Sequence, residues 1–109
     1  MNFDMNKMLK EAQRMQAELA KAQEEAASEV VEASAGGGMV TVKANGAGDV
    51  VSITIDPRAI DPGDPELHAD LVLAAVNEAL RSARALMESK MAGLMPGGLG
   101  DLGGLLPGA

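Results

Sequence analysis

Aromatic residues and cysteine are almost absent from this chain of 109 residues. It contains one Phe and no Trp, Tyr or Cys. Without cysteine the protein forms no disulfide and uses no thiolate chemistry, which fits a reducing compartment. Single-stranded nucleic acids are usually held by bases stacked on aromatic rings, so the composition argues against that class of ligand. The core must be built from Ala, Val, Leu, Ile and Met.

Long apolar runs are also missing. No segment approaches the roughly 20 consecutive apolar residues that span a bilayer, and the N-terminus lacks the basic start and apolar run of a secretory signal. We therefore expect a cytoplasmic protein. The length fits one domain, placed at residues 1–95 and followed by a flexible tail over residues 96–109, rich in Gly, Leu and Pro. So short a chain buries a modest share of its surface, and an oligomer is expected.

The segment from Met5 to about Ala27 predicts the first helix. Its apolar residues alternate spacings of three and four, the period of an amphipathic helix in a coiled coil. Good helix formers dominate the segment, and neither Gly nor Pro interrupts it. The apolar stripe consists of Met5, Met8, Ala12, Met15, Leu19, Ala22 and Ala26.

From Ser28 onward the apolar period changes to two, which is typical of strands. Gly36–Gly38 and Asn45–Asp49 separate the alternating segments and have the composition of turns. The three segments cover residues 28–34, 38–45 and 50–56. They predict a three-stranded antiparallel meander with one apolar face, which helices must cover. On the third strand that face would carry Val51, Ile53 and Ile55.

A second long helix is predicted from about Pro65 to Ala92, with Asp64 as its N-cap. The fold class is therefore α+β, with two long helices in the order α-β-β-β-α. The apolar face of the second helix is broader than one small sheet can cover, so part of it is expected to contact another subunit. The helical residues expected there are Leu73, Val76, Leu80 and Ala83.

Basic residues recur along both predicted helices and could contact DNA phosphates. In the first helix Lys7, Arg14 and Lys21 lie seven residues apart and form a ridge about 21 Å long, given a rise of ~1.5 Å per residue. The other basic residues of the two helices are Lys10, Arg81, Arg84 and Lys90. Acidic residues recur at the same interval as the ridge, so internal ion pairs on a solvated surface are an equal alternative.

The net charge of −7 at pH 7 argues against strong binding to a polyanion. It favours a second hypothesis, an acidic protein–protein interaction module with weak or no DNA binding. No helix-turn-helix or zinc-finger pattern is present to read bases. Any contact with duplex DNA would therefore be made mainly to phosphates, with little sequence preference.

No set of side chains predicts catalysis, a metal site or a cofactor. His68 is the only histidine, and a catalytic or metal-binding role would need convergent partners. Of the nearest carboxylates, Asp64 serves as an N-cap and Asp70 lies on another side of the helix. We expect His68 to be an exposed residue of the first turn. Gly36–Gly38 leads into a strand, unlike a phosphate-binding loop.

Three stretches occur in a distinctive order. They are the Met- and Gln-rich first helix, GGGMVTVKANGAGDVVSITIDP, and LHADLVLAAVNEALRSARALMESKMAGL. Together they resemble the YbaB/EbfC family of bacterial nucleoid-associated proteins. The resemblance implies a tweezer-like homodimer, formed through the sheet and part of the long helix, whose projecting helices contact duplex DNA. It also implies a location at the nucleoid and a role in organising the chromosome or modulating gene expression. It adds Val42, Ile53 and Ile55 to the expected dimer interface.

Overall fold

A computed structural model describes residues 4–94. Two long helices and a small sheet follow one another as α1 (Met5–Ser28), β1 (Val30–Ala35), β2 (Val40–Asn45), β3 (Val50–Ile55) and α2 (Pro65–Ala92). A short 3₁₀ helix, Pro57–Ala59, follows β3. The predicted α-β-β-β-α order is confirmed. The predicted tail, residues 96–109, lies outside the described residues.

Aspartates begin both long helices. The Asp4 carboxylate accepts a hydrogen bond from the Lys7 amide at 3.2 Å, and the Asp64 carboxylate accepts one from the Leu67 amide at 3.1 Å. Each bond satisfies an amide that the helix itself leaves without a partner. Pro65, which has no amide hydrogen to satisfy, occupies the first turn of α2. The predicted N-cap at Asp64 is confirmed.

The sheet is an antiparallel meander in the order β1-β2-β3, as predicted. α2 packs mainly on β1 and β2. The core consists of Val40, Val42 and Ala44 on β2 and Ala75, Ala79 and Ala83 on α2. Among the described residues, seven of the nine buried hydrophobic side chains are alanine. The subunit therefore has a thin core in which helix and sheet approach closely.

β3 carries an irregularity that the alternating sequence pattern does not predict. Val42 pairs with Ile53, but beyond it the register shifts and Ala44 pairs with Val50. Residues paired across antiparallel strands lie on the same face, so Val50 joins the side of the sheet that faces α2. Val51 is inserted between two paired positions, as in a β-bulge.

Gly46 fixes α1 against the turn between β2 and β3. Its amide donates a hydrogen bond to the Ala26 carbonyl at 2.9 Å, and a Cβ at this position would overlap that carbonyl. The left-handed conformation in this turn is adopted by Gly48 instead, with φ of 89°. Gly46 is therefore required for its close approach to α1, and Gly48 for its backbone conformation.

Candidate nucleic-acid interface

The N-terminal part of α1 extends beyond the sheet. Ala22 and Ala26 are buried against the rest of the subunit, whereas every residue from Asp4 to Ala17 is exposed. The two long helices meet near their C-terminal ends, where Leu94 lines a groove together with Lys21 and Ala22 of α1. The N-terminal part of α1 is thus available to a ligand from several sides.

The basic residues of α1 divide into paired and unpaired groups. Arg14 forms ion pairs with Glu11 and Glu18, both at 2.9 Å. The hydrogen bond to Glu11, followed by the charges of both carboxylates, raises the pKa of Arg14. Over residues 4–94, Lys7, Lys10 and Lys21 take part in no ion pair. The ion-pair interpretation therefore holds for Arg14. The two lysines of the predicted ridge have no carboxylate partner within the described residues.

Two of the three basic residues of α2 are also paired. Arg81 forms an ion pair with Glu78 at 2.6 Å. Lys90 bonds to Glu29 at 2.6 Å, and this hydrogen bond raises the pKa of Lys90. The sequence pattern does not predict the role of Glu29, because this ion pair joins elements that are far apart in the chain. Arg84 is exposed beside the β2–β3 turn, on a groove shared with Met87.

A further ion pair lies where β3 leads into the 3₁₀ helix. Arg58 forms an ion pair with Asp56 at 2.7 Å, and its hydrogen bonds lower the pKa of the Asp56 carboxyl. All nine Lys and Arg residues fall within the described range, and four of them are ion-paired. The remaining five are Lys7, Lys10, Lys21, Lys43 and Arg84. Three of these five lie on α1, which makes this helix the most accessible source of positive charge.

The residues predicted for a dimer interface fall into two groups. Val42 and Ala83 are buried inside the subunit by the packing of α2 on β2, so a partner could reach them only if the core opened. Leu73 and Ile53 are 59% and 46% exposed. The half-buried members of the set are Ile55, Val76 and Leu80. α2 leaves β3 largely uncovered, and the half-buried residues of the set pack at the margin of the core.

His68 is not the exposed residue that the sequence predicts. It is half-buried, and its Nδ1 atom is buried without a hydrogen-bond partner in the described part of the chain. The prediction was wrong because His68 lies seven residues, or nearly two helical turns, before Ala75 and so shares its core-facing side. No group of three His, Cys, Asp or Glu side chains within residues 4–94 is arranged to hold a metal ion. None of the described helices is long and apolar enough to cross a membrane.

A thin sheet backed by one helix, with a second helix extending past it, defines a small α+β protein. The sequence model of the YbaB/EbfC DNA-binding family matches residues 1–99, and the chain belongs to that family. The resemblance found in the sequence is thereby confirmed. The family is described by DNA binding and not by an enzymatic activity.

Similar proteins agree with this assignment. A nucleoid-associated protein of Thermoanaerobacter pseudethanolicus is 52% identical over 95 residues, covering 87% of this chain and 86% of the relative. A nucleoid-associated protein of Saccharopolyspora erythraea is 47% identical over 109 residues, covering 96% and 93% of the two chains. The crystal structure of an uncharacterized protein from Helicobacter pylori matches with a TM-score of 0.67 at 24% identity. That match covers 77% of this chain and 88% of the other, and it supports the fold alone.

Proposed function

We propose that this chain is a nucleoid-associated protein that binds duplex DNA as a homodimer, mainly through the phosphate backbone. It binds with little sequence specificity, resides at the nucleoid in the cytoplasm, and organises the chromosome or modulates gene expression. The observation that carries the proposal is the position of Lys7, Lys10 and Lys21. All three are exposed on α1 and free of ion pairs within the described residues, in a chain that belongs to a DNA-binding family.

The type of side chain favours phosphate as the ligand. A lysine ammonium contacts a phosphate as a mobile point charge, and neutralising phosphates releases counterions from DNA. The commonest base-specific contact in the major groove is a bidentate bond to guanine, for which arginine presents a rigid fork of donors. On α1 the sole arginine, Arg14, is held by two carboxylates. Binding through α1 therefore fixes the position of the duplex more than it reads the sequence.

Basic residues elsewhere extend the proposed interface. Arg84 is exposed and unpaired among the described residues, while Arg81 and Lys90 would first have to leave Glu78 and Glu29. Exposed ion pairs exchange readily with water and salt, so a phosphate can replace the carboxylate partner at low ionic strength. We expect the contribution of Arg84 to exceed that of the two paired residues.

The homodimer is supported by apolar side chains of α2 and β3 that the single subunit leaves exposed. The largest fully buried side chains of the subunit are Val40 and Val42, which is little core for a chain of this size. Leu73 on α2 and Ile53 on β3 are exposed, and Val76, about one helical turn after Leu73, is half-buried. Covering a Leu or Ile side chain completely gains about 1.5–3 kcal/mol. A second subunit placed here would add the apolar contacts that the single subunit lacks.

A second candidate function is an acidic protein–protein interaction module with weak or no DNA binding. Two observations favour it. The net charge is −7, and internal carboxylates already occupy four of the nine basic side chains. Both lower the electrostatic attraction to a polyanion.

The salt dependence of DNA binding separates the two candidates. We would measure the anisotropy of a fluorescent duplex of arbitrary sequence against the full chain at about 50 mM and about 200 mM salt, where phosphate-dominated binding differs sharply. The affinity should fall steeply and to the same extent for unrelated duplexes. Sedimentation of the same sample reports whether the chain is a dimer. No binding at the lower salt by a folded dimer would reject the DNA-binding proposal and support the interaction module.

A further inference from the structure

The apolar stripe of α1 continues beyond the part of the subunit that covers it. At the C-terminal end of the helix, Ala22 and Ala26 are 6% and 0% exposed. Toward the N-terminus the same stripe lies open to solvent, with Met5 70% and Met8 55% exposed. We call this open part the α1 seam and define it as Met5, Met8, Ala12, Met15 and Leu19.

The spacing of the α1 seam matches that of a second, identical helix. Its members alternate intervals of three and four residues, which keeps them along one line when two helices supercoil around each other. Leu9, which is 58% exposed, flanks the line and widens it. Exposed apolar side chains scattered over a surface are ordinary, but five in this register on one helix form a continuous contact strip.

The residues beside the α1 seam determine which orientation of the two helices is favourable. In a parallel pair, the residue directly before Ala12 or Leu19 on one helix faces the residue five positions later in the sequence on the other helix. Glu11 would then face Gln16 of the second copy, and Glu18 would face Gln23, so that carboxylates meet amide donors. In an antiparallel pair the carboxylates of the two copies would face one another, which is unfavourable. The side chains that flank the α1 seam therefore favour a parallel copy of the same helix over an antiparallel one.

We propose that the α1 seam pairs in parallel with the α1 seam of a second copy of this chain. Lys7, Arg14 and Lys21 lie two residues beyond seam positions and point away from the contact, so pairing leaves them accessible. The paired helices would carry two basic ridges side by side on their outer surfaces. This last consequence rests on the proposed DNA binding, whereas the pairing itself does not.

The pairing is expected to be weak in free solution and stronger on DNA. The α1 seam covers about two heptads, and helical segments of that length are marginal in water without further contacts. A duplex that binds several copies raises their local concentration, which favours a weak contact between neighbours without any new interaction.

Single cysteines give a direct test, because the natural chain contains none. Met8→Cys and Met15→Cys place a thiol in the α1 seam, and Ala17→Cys places one on the opposite side of the exposed helix as the matched control. Disulfides form only when the two Cα atoms approach within about 7 Å. Under mild oxidation of the full chain we expect several-fold more interchain disulfide at positions 8 and 15 than at 17. Added duplex should increase the difference.

Each alternative gives a distinct result. Equal disulfide yields at positions 8, 15 and 17, with and without duplex, would overturn the pairing. Cross-linking at only one of the two seam positions would overturn the parallel orientation, because antiparallel helices bring at most one position against itself. In the double variant Met15→Cys with Leu102→Cys, an intrachain disulfide in place of the interchain one would show that the chain's own C-terminal residues cover the seam.

The anisotropy of the same preparations keeps the two proposals distinguishable. Seam cross-linking in a protein that does not bind duplex would retain the pairing and reject DNA binding. DNA binding without seam cross-linking would retain the DNA-binding proposal and reject the pairing. A further variant, Met8→Gln with Met15→Gln, keeps good helix formers in α1 and should abolish pairing while leaving every basic residue in place.

Discussion

The Lys90 ammonium on α2 lies 2.6 Å from the carboxylate of Glu29, the C-cap residue directly after α1. This ion pair joins the ends of the two long helices. Lys90, which the sequence predicts as a DNA contact, is therefore bound to a carboxylate of its own subunit.

Replacement of Glu29 should change the stability of the fold at alkaline pH. The hydrogen bond to Glu29 raises the pKa of Lys90 above its ordinary 10.5. A raised pKa means that the stabilisation is complete at neutral pH and is lost as the pH rises through the folded-state pKa. We therefore expect Glu29→Gln to lower the free energy of unfolding slightly at neutral pH and to lose less on alkalinisation than the natural chain. Urea unfolding measured on both sides of pH 10.5 tests this.

Glu32→Gln is the matched control for that experiment. It removes the same charge from an exposed position on β1 that forms no ion pair within residues 4–94. Its pH dependence should follow that of the natural chain. If the two variants behave alike, the Lys90–Glu29 pair makes no contribution to stability.

Gly46→Ala should destabilise the subunit. A methyl group at this position overlaps the Ala26 carbonyl, so α1 or the β2–β3 turn must move and the hydrogen bond between them must lengthen. Overpacking of this kind costs about 1–3 kcal/mol. Gly93→Ala is the control, because its added Cβ would lie 3.5 Å from the nearest atom, which is an ordinary contact. Equal unfolding midpoints in urea would contradict the proposed role of Gly46.

Charge removal on α1 should weaken DNA binding equally across sequences. Lys7→Gln should reduce the slope of log affinity against log salt by about 1, as expected for the loss of one phosphate contact. Lys43→Gln, which removes the same charge from the exposed side of the sheet, should change the slope less. The double variant Lys7→Glu with Arg14→Glu should bind more weakly still and remain dimeric. Unchanged affinity in the double variant would exclude α1 from the interface.

Leu73→Asp should dissociate the proposed homodimer without unfolding the subunit. Leu73 is largely exposed in the single subunit, whereas an unpaired carboxylate is costly to bury in an apolar interface. Val76→Asp should act in the same direction, with an added loss of stability because Val76 also packs on the core. Asn77→Asp, an exposed neighbour, serves as the charge control. A Leu73→Asp variant that sediments as the dimer would place the interface elsewhere.

Local patterns sufficed for most of the fold. The three–four spacing from Met5 to Ala26 predicts α1, and the alternation in 40–45 predicts β2, because the periods of helix and strand differ. Asp64 before Pro65 predicts the start of α2, since capping depends on neighbouring residues alone. The neutralisation of Arg14 and Arg81 was also foreseeable, because their partners lie three or four positions away on the same helix.

Tertiary structure decided what depends on contacts between distant segments. Glu29 forms an ion pair with Lys90, and the Ala26 carbonyl leaves room only for glycine at position 46. His68 is half-buried because it lies on the side of α2 that faces the sheet. The sequence by itself determined which elements form and which helix faces are basic or apolar, since these depend on spacing along the chain. Only the packing of α2 on β1 and β2 decided that β3 and the N-terminal part of α1 stay open. Whether a surface is buried depends on which other helix or strand packs against it, and spacing along the chain does not determine that packing.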